Sequence, residues 1–234
     1  VSKLPEPIDA LIMNAGGMGG KTPGKITSDG VTQLFATNVL GHVVLVDELI
    51  KAGKLKKVAL FASSEAARGV KKMGMKQPEL ETSSPDEFAS YIDGSRYGDK
   101  FDGMVAYGPA KYIGTMWMSS MARKNPEIRF VSISPGGTGG TEVMDDLPAF
   151  KRFMFKRIGM PLIMPLMGMA HKLEVGAKRF VDGINNESYT TGHFYASKEK
   201  VLTGELVDQS SIFPDLENQI FQDNANEAIH RFIH

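Results

Sequence analysis

The chain has 234 residues and is predicted to form an α/β fold with a doubly wound, mostly parallel sheet. Three observations support this class. Short apolar runs of strand length recur along the chain, segments of helix length separate them, and each run ends in small or polar residues. Strands joined through helix-length crossovers imply helices on both faces of the sheet. The length favours a single domain, 1–234.

The first elements are a strand, a long helix and a second strand. The apolar run at 8–13 (IDALIM) predicts a buried strand that ends in a loop. The helix should begin at 27–29, where Thr, Ser and Asp are N-cap candidates, and end at Gly53. Apolar residues recur every three to four positions between these points, as on one helix face. The run at 57–63 (KVALFAS) predicts the second strand.

The remaining elements follow the same alternation. A helix is predicted at about 110–123, followed by a strand at 129–134 (RFVSIS). A helix candidate at 166–184 precedes a strand at 192–196 (GHFYA), and the tail from Pro214 looks helical in pieces.

Two segments stand apart from this alternation. The polar segment 69–102 lacks periodicity and is interpreted as a surface insertion, and 142–184 is interpreted as a substrate-lid region. The lid interpretation depends on the methionines at 154, 160, 164, 167 and 169. They are adaptable core filler, a flexible lid over an apolar substrate, or an interaction face.

Composition excludes several classes of protein. The 27 Lys and Arg residues balance 27 Asp and Glu residues, and this net charge of zero argues against nucleic-acid binding. The absence of cysteine excludes disulfides, thiolate metal ligands and cysteine nucleophiles. The first residues do not resemble a signal peptide, and no window offers the roughly 20 apolar residues of a transmembrane helix. We therefore expect a cytoplasmic protein.

Three strand ends carry small or polar residues that together suggest a site. They are 14–16 (NAG), 63–65 (SSE) and 134–138 (SPGGT). Ligands of open parallel sheets bind beyond the carboxyl ends of the strands, where these loops meet. The alternative is that Gly, Ser and Asn end strands only because they turn well.

Three helical residues add candidates for chemistry. Asn38 lies on the apolar stripe of the long helix, where a buried amide must be hydrogen-bonded. It either contacts a neighbouring backbone carbonyl, or its side chain or the helix distortion that it causes belongs to the active site. Tyr107 and Lys111 are four residues apart and would share a helix face. An ammonium group lowers the pKa of a neighbouring phenol from about 10 toward working pH, as a general acid or base requires.

Two further patterns suggest other functions. Residues 15–22 (AGGMGGKT) fit the looser form of a phosphate-binding loop after a buried strand. That loop needs a helix that begins at its Lys-Thr pair, whereas Pro23 and Gly24 follow here, so a P-loop nucleotide binder is only a remote alternative. His230 and His234 have the spacing of a helical metal site, but a solvated terminal pair explains them, and we expect no metal.

Five motifs, taken in order, resemble those of the short-chain dehydrogenase/reductase family. They are Asn14-Ala15-Gly16, Asn38 to His42, Ser63-Ser64, Tyr107 with Lys111, and Pro135-Gly136. The resemblance covers nearly the whole chain from Ile8 onward. Tyr107 follows Ser64 by 43 positions, which is similar to the branch of carbonyl reductases, retinol dehydrogenases and protochlorophyllide reductases.

The resemblance implies a Rossmann-like fold and NAD(P)-dependent oxidoreduction of a carbonyl or an alcohol, which is apolar if the methionines form a lid. It makes Tyr107 the proton donor or acceptor, while Lys111 would lower the pKa of Tyr107 and hold the nicotinamide ribose. Ser64 would hydrogen-bond the substrate oxygen, and Asn38 would support a water of the proton relay. The implied residues for NADP or NAD are Asn14, Ala15, Gly16, Tyr107, Lys111, Pro135, Gly136 and Thr138, with Thr141 as the alternative to Thr138.

Two features depart from the family pattern. Pro109 disfavours helical geometry at Gly108, so we expect the helix to start locally there. The family's sheet runs 3-2-1-4-5-6-7, and its first strand and glycine-rich turn bind the pyrophosphate. Only 13 residues precede Asn14, so the resemblance implies strands four to seven alone, with strand four as an unpaired edge.

We therefore expect the chain to be the C-terminal part of a longer protein, and a natural short form is the alternative. In a short form, a homo-oligomer or a partner strand would cover the bare edge. The alternative function is a catalytically idle scaffold or interaction subunit that uses the same fold without a cofactor.

Overall fold

The computed structural model describes residues 1–138 and 167–234, which contain one five-stranded sheet. Four strands run parallel and the fifth is antiparallel to the fourth, which confirms the predicted α/β class with a mostly parallel sheet. The strands are β1 (Ile8–Met13), β2 (Leu55–Ala62), β3 (Arg129–Ile133), β4 (Phe194–Ser197) and β5 (Leu206–Asp208). The sequence prediction missed β5, because three residues are too few to show a period.

Neighbouring strands in the sheet are also consecutive in the chain. β1 therefore lies at an edge and pairs only with β2 among the described residues, as the sequence predicted. Ile12 of this strand is 40% exposed. The parallel direction of β1 to β4 brings their carboxyl ends to one edge of the sheet, which is the geometric condition for a shared site.

Helices cover both faces of the sheet. They are α1 (Gln33–Lys51), α2 (Pro85–Ile92), α3 (Gly103–Lys124), α4 (Leu173–Asn185) and α5 (Gln219–His230). On one face, residues of α1, α3 and α5 share the main apolar cluster with Ala59 and Phe61 of β2. On the other face, Phe180 of α4 packs against Leu60 and Val131. Successive β2 residues thus point to opposite layers, as a strand buried on both faces requires.

The starts of two helices differ from the prediction. α1 begins after Thr32, whose hydroxyl accepts a hydrogen bond from Phe35 N at 3.3 Å, rather than at 27–29. A β-bridge between Ile26 and Thr32 holds those residues in a loop instead. α3 begins after Asp102, whose carboxylate accepts from Met104 N, and not at 110.

The expectation that Pro109 starts helix α3 is wrong. Pro109 lies inside the helix, and Gly108 is helical. The steric clash of proline with the residue before it involves that residue's Cβ atom, which glycine lacks. A Cβ at Gly108 would also lie 2.8 Å from the carbonyl oxygen of Ala66. Glycine therefore permits both the proline and the close approach of α3 to the end of β2.

The segment 69–102 is only partly a surface insertion. It contains α2, in which Phe88 and Ile92 are fully buried in the main apolar cluster. The carboxylate of Glu87 accepts hydrogen bonds from the backbone N–H groups of 81–83 and fixes the entry to the helix. The sequence prediction missed this helix because its apolar positions are few.

The predicted lid region, 142–184, is described only from residue 167. The methionines at 154, 160 and 164 and the start of the predicted helix at 166 lie outside the described residues. From Leu173 the segment forms α4. Met169 is buried and Met167 is exposed, so the two described methionines have different surroundings.

One helix of the described residues, Gln33–Lys51, is long and apolar enough to cross a membrane by length and composition. A single such helix is a weak candidate, and the absence of a membrane-spanning helix stays a prediction. Half of its apolar window is buried inside the protein, where Val39, Val43 and Val46 belong to the main cluster. Packing against the sheet thus accounts for its apolar face.

Candidate active site

Asn38 fixes the loop that follows β1. It lies in a π-helical turn of α1, Ala36–Leu40, and is completely buried. Its Oδ1 accepts from Gly17 N at 3.1 Å, and its Nδ2 donates to the carbonyl oxygens of Gly17 and Leu34 at 2.7 and 2.8 Å. The amide therefore contacts backbone carbonyls, as the first interpretation predicts, and it stands in a distorted helical turn. Its place in an active site stays a prediction. These three contacts are all to backbone groups, so the support of a relay water by Asn38 stays a prediction.

A second contact to the same loop comes from His42. Its Nε2 lies 2.7 Å from the carbonyl oxygen of Ala15. Burial lowers the pKa of His42, the hydrogen bond to Ala15 opposes this, and the charge of Lys111 lowers it further. The imidazole therefore belongs to the support of the loop, a role that the sequence analysis did not assign to it.

Lys111 reaches from α3 to the same place. Its Nζ donates to the carbonyl oxygen of Ala62 at 2.8 Å. A Cβ at Gly16 would lie 3.3 Å from Nζ and 2.6 Å from Asn38 Oδ1. The predicted residues Gly16, Asn38 and Lys111 thus meet at one point. Only glycine fits there, which gives the NAG sequence a steric reason.

Tyr107 and Ser64 lie on the other side of Lys111. The hydroxyl of Ser64 is near enough to the phenol to lower the pKa of Tyr107. The Nζ of Lys111 is 5.7 Å from the centre of the Tyr107 ring. Ser64 is also the N-cap of the short 3₁₀ turn Glu65–Arg68, since its Oγ accepts from Ala66 N. The end of β2 therefore presents the serine hydroxyl to the phenol.

The predicted lowering of the Tyr107 pKa is wrong. Burial raises the pKa of Tyr107 to about 12, and the hydrogen bond to Ser64 only partly opposes this. Burial also lowers the pKa of Lys111 to about 7. An ammonium group this easily deprotonated is a weak source of positive charge near pH 7, so it does not offset the burial of the phenol. In this structure Tyr107 is a protonated acid at neutral pH.

The loop after β3 completes the edge. Gly136 has φ of +77°, and a Cβ there would meet the carbonyl oxygen of Leu202 at 2.4 Å. The Oγ1 of Thr138 donates to Pro135 O, and His171 Nε2 lies 2.8 Å from the same oxygen. Pro135, Gly136 and Thr138 therefore form a tightly built loop beside the ends of β2 and β4. Thr141 lies outside the described residues.

A buried charged cluster beneath these loops was missed by the sequence analysis. It consists of Glu65, Arg68 and Arg179, each at most 5% exposed. Glu65 belongs to the strand end 63–65 (SSE). The two arginines are distant from it in sequence, and no local sequence pattern marks them as its partners. Only the fold brings them together.

The competing sites find little support in the described part of the chain. Residues 15–22 are not followed by a helix at Lys21 and Thr22, since α1 begins at Gln33. His230 contacts Asp47 and the Asn226 carbonyl oxygen, and no metal-binding group of three side chains occurs among the residues described. A cavity of about 410 Å³ lies beside the amino end of β4, and no predicted site residue lines it.

Comparison with known proteins finds a similarity to a dehydrogenase/reductase. No protein-family model matches the chain. The curated Dehydrogenase/reductase SDR family member 12 of Bos taurus is 28% identical over 149 residues, which are 63% of this chain and 41% of that protein. The chain is therefore similar to a member of the short-chain dehydrogenase/reductase family, the family that its motifs resemble. Its match spans less than half the length of this short-chain dehydrogenase/reductase relative.

A solved structure shows that the fold of this chain is a known one. A crystal structure of an uncharacterized protein from Mycobacterium paratuberculosis covers 97% of this chain and 67% of its own, with 15% identity and a TM-score of 0.62. A small-chain dehydrogenase in complex with NADPH covers 85% of this chain and 76% of its own, with 20% identity and a TM-score of 0.49.

Proposed function

We propose that the protein is an NAD(P)-dependent oxidoreductase that interconverts a carbonyl and an alcohol. The observation that carries this proposal is the arrangement of three side chains at one edge of a parallel sheet. The Ser64 hydroxyl acts on the Tyr107 phenol, and the Nζ of Lys111 lies 5.7 Å from the Tyr107 ring and 3.3 Å from where a Cβ at Gly16 would lie. A phenol, a hydroxyl and an amine in this order suit proton transfer to or from an oxygen atom.

The donor set fits a nicotinamide dinucleotide. Lys111 has three N–H donors but only one hydrogen-bond acceptor among the described residues, the carbonyl of Ala62. The free donors suit ribose hydroxyls. Bound NADP or NAD would supply or accept the hydride. The residues proposed to hold it are Asn14, Ala15, Gly16, Tyr107 and Lys111, with Pro135, Gly136 and Thr138 beside the nicotinamide.

The pKa of Tyr107 favours the reductive direction. A phenol with a pKa of about 12 keeps its proton at neutral pH and can give it to the alkoxide that forms when a carbonyl is reduced. Ser64 would hydrogen-bond the same substrate oxygen and hold it next to the phenol. Asn38 would act by holding the loop at Gly17, while its support of a relay water remains a prediction.

The substrate is proposed to have an apolar body next to its carbonyl or hydroxyl group. Val70, Met169 and Leu202 form a separate small apolar cluster. It adjoins the loop after β3, because a Cβ at Gly137 would lie 3.2 Å from the Leu202 Cβ. The cytoplasmic location and a partner at the β1 edge also remain predictions.

The test uses the full-length protein with NADPH or NADH that carries deuterium at the nicotinamide C4 atom. Aldehydes, ketones and retinoids are offered, and mass spectrometry of the products looks for deuterium on the new carbinol carbon. We expect transfer to a substrate, and a fall of about 10- to 100-fold in kcat for Ser64→Ala. Ser90→Ala is the matched control, because the Ser90 hydroxyl donates to the carbonyl oxygen of Glu87 within α2. Absence of both transfer and dinucleotide binding would favour the idle scaffold.

A further inference from the structure

Glu65 is a buried carboxylate at the point where three strands end. Its side chain accepts hydrogen bonds from the hydroxyl of Ser134 and, at 3.1 Å, from the backbone N–H of Ser197. Ser134 follows β3, and Ser197 is the last residue of β4. Glu65 itself follows Ser64 at the end of β2. One side chain therefore joins the ends of β2, β3 and β4.

Arg179 of α4 encloses the same carboxylate. Its Nη1 lies 3.8 Å from Glu65 Oε1 and donates to the carbonyl oxygen of Ser134 at 3.2 Å. Its Nη2 donates to Ser197 Oγ at 2.9 Å and to Gly204 O at 2.8 Å. The planar guanidinium thus contacts the same two strand ends as Glu65, from the opposite face of the sheet.

The network reaches both loops of the proposed reaction site. The hydroxyl of Ser134, which donates to Glu65, also accepts from the backbone N–H of Gly136 at 3.0 Å. A Cβ at Gly136 would lie only 2.6 Å from Arg179 Nη1. On the other side, Glu65 is joined by one peptide bond to Ser64, whose hydroxyl lowers the pKa of Tyr107. A shift of either charged group would therefore move the serine loop and the Gly136 loop relative to each other.

Stability alone gives little reason for this pair. Buried ion pairs seldom stabilise a fold more than apolar residues of the same volume would, because both charges lose their hydration. Their benefit is a fixed geometry. We propose that Glu65 and Arg179 act as one unit of positioning residues, which holds the Ser64 hydroxyl and the Pro135–Gly136 loop in the geometry that the reaction needs. This inference rests on the proposed oxidoreductase function.

The carboxylate also has an electrostatic effect that a purely structural residue would lack. The negative charge of Glu65 raises the pKa of Tyr107, in the same direction as burial. The other groups that face the phenol are Ser64, whose hydrogen bond lowers its pKa, and Lys111, at 5.7 Å from its ring. Arg68 and Arg179 interact with Glu65 itself. Removal of the Glu65 charge should therefore make Tyr107 more acidic.

The test compares Glu65→Gln, Arg179→Lys and the double variant in the full-length protein. The amide keeps the shape of the glutamate without its charge, and the lysine keeps the charge without the planar fork. Glu87→Gln is the matched control, because Glu87 is also a buried carboxylate with backbone N–H donors but belongs to α2. Near-UV circular dichroism checks that each variant is folded.

We expect each single variant to lose about 10- to 100-fold in kcat, with a change in KM for the dinucleotide below about threefold. The double variant should lose no more than the worse single variant, and Glu87→Gln should retain the kcat of the wild type. The inference would be overturned if the loss in kcat of the double variant equalled the product of the two single losses, or if Glu65→Gln kept a kcat within about twofold of wild type.

A second readout does not depend on turnover. Nuclear magnetic resonance of ¹³Cζ-labelled tyrosine, assigned with Tyr107→Phe, follows the ionisation of Tyr107. The midpoint should move to lower pH in Glu65→Gln and stay unchanged in Glu87→Gln. If neither the wild-type protein nor any variant turns over substrate, the proposed function fails. The titration still decides in that case whether the Glu65 carboxylate acts on the Tyr107 phenol. An unchanged midpoint in Glu65→Gln would overturn that action.

Discussion

Replacement of Asn38 by alanine tests whether this amide holds the loop after β1. The change removes three hydrogen bonds, two to Gly17 and one to the buried carbonyl of Leu34. At about 1 kcal/mol for each bond, the free energy of unfolding should fall by about 3 kcal/mol. For a chain of this size the corresponding fall in Tm is about 6–12 °C.

The assay is urea unfolding followed by far-UV circular dichroism, with Asn185→Ala as the control. Asn185 makes the same contact to a carbonyl four residues earlier, Val181 O at 3.0 Å, but it is exposed. Its replacement should change the unfolding free energy by no more than about 0.5 kcal/mol. A loss below about 1 kcal/mol in Asn38→Ala would refute the assignment of Asn38 as the support of this loop.

Three further predictions follow from local geometry. The hydrogen bond to Asp47 raises the pKa of His230 above its ordinary value of 6.5, and burial opposes this effect. The pair therefore stabilises the fold fully below pH 6.5, and this stabilisation is lost as pH rises through the raised pKa. Asp47→Asn should reduce the dependence of the unfolding free energy on pH in this range. An equal pH dependence in the variant and in the wild type would contradict this prediction. Gly136→Ala should destabilise the fold by at least about 2 kcal/mol more than Gly204→Ala. Both glycines have positive φ, but only at Gly136 would a Cβ meet neighbouring atoms. Equal losses of stability in thermal melts of the two variants would contradict the close approach at Gly136. Lys111 should titrate near pH 7 in ¹³Cε resonance spectra, since burial lowers its pKa to about 7, and a midpoint above about 9 would contradict the buried position.

The sequence predicts the parallel sheet well because its strands are long apolar runs. Residues 58–62 of β2 are buried on both faces of the sheet and form an apolar run, which can be recognised without knowledge of its neighbours. The helix starts were less predictable. The loop at 27–29 offers three N-cap side chains, but the bridge between Ile26 and Thr32 keeps these residues out of the helix, and Thr32, which is not among those candidates, is the cap.

The site likewise has features that the sequence predicts and features that depend on the complete fold. Its glycines, Ser64 and the pair Tyr107–Lys111 have fixed places next to strand ends and could be predicted. The ionisation of that pair could not, because burial decides it and burial depends on the complete fold. The partnership of Glu65 with Arg179, 114 positions apart in the sequence, likewise exists only once β2 and α4 are packed together.

The central claim is that the Tyr107 phenol delivers the proton in carbonyl reduction. Its most direct test is the reduction rate of Tyr107→Phe at saturating dinucleotide, measured beside the dinucleotide Kd from calorimetry. The account predicts a fall of about 100-fold or more in kcat, with Kd within about threefold of wild type. A variant that binds dinucleotide and reduces substrate at the wild-type rate would contradict it.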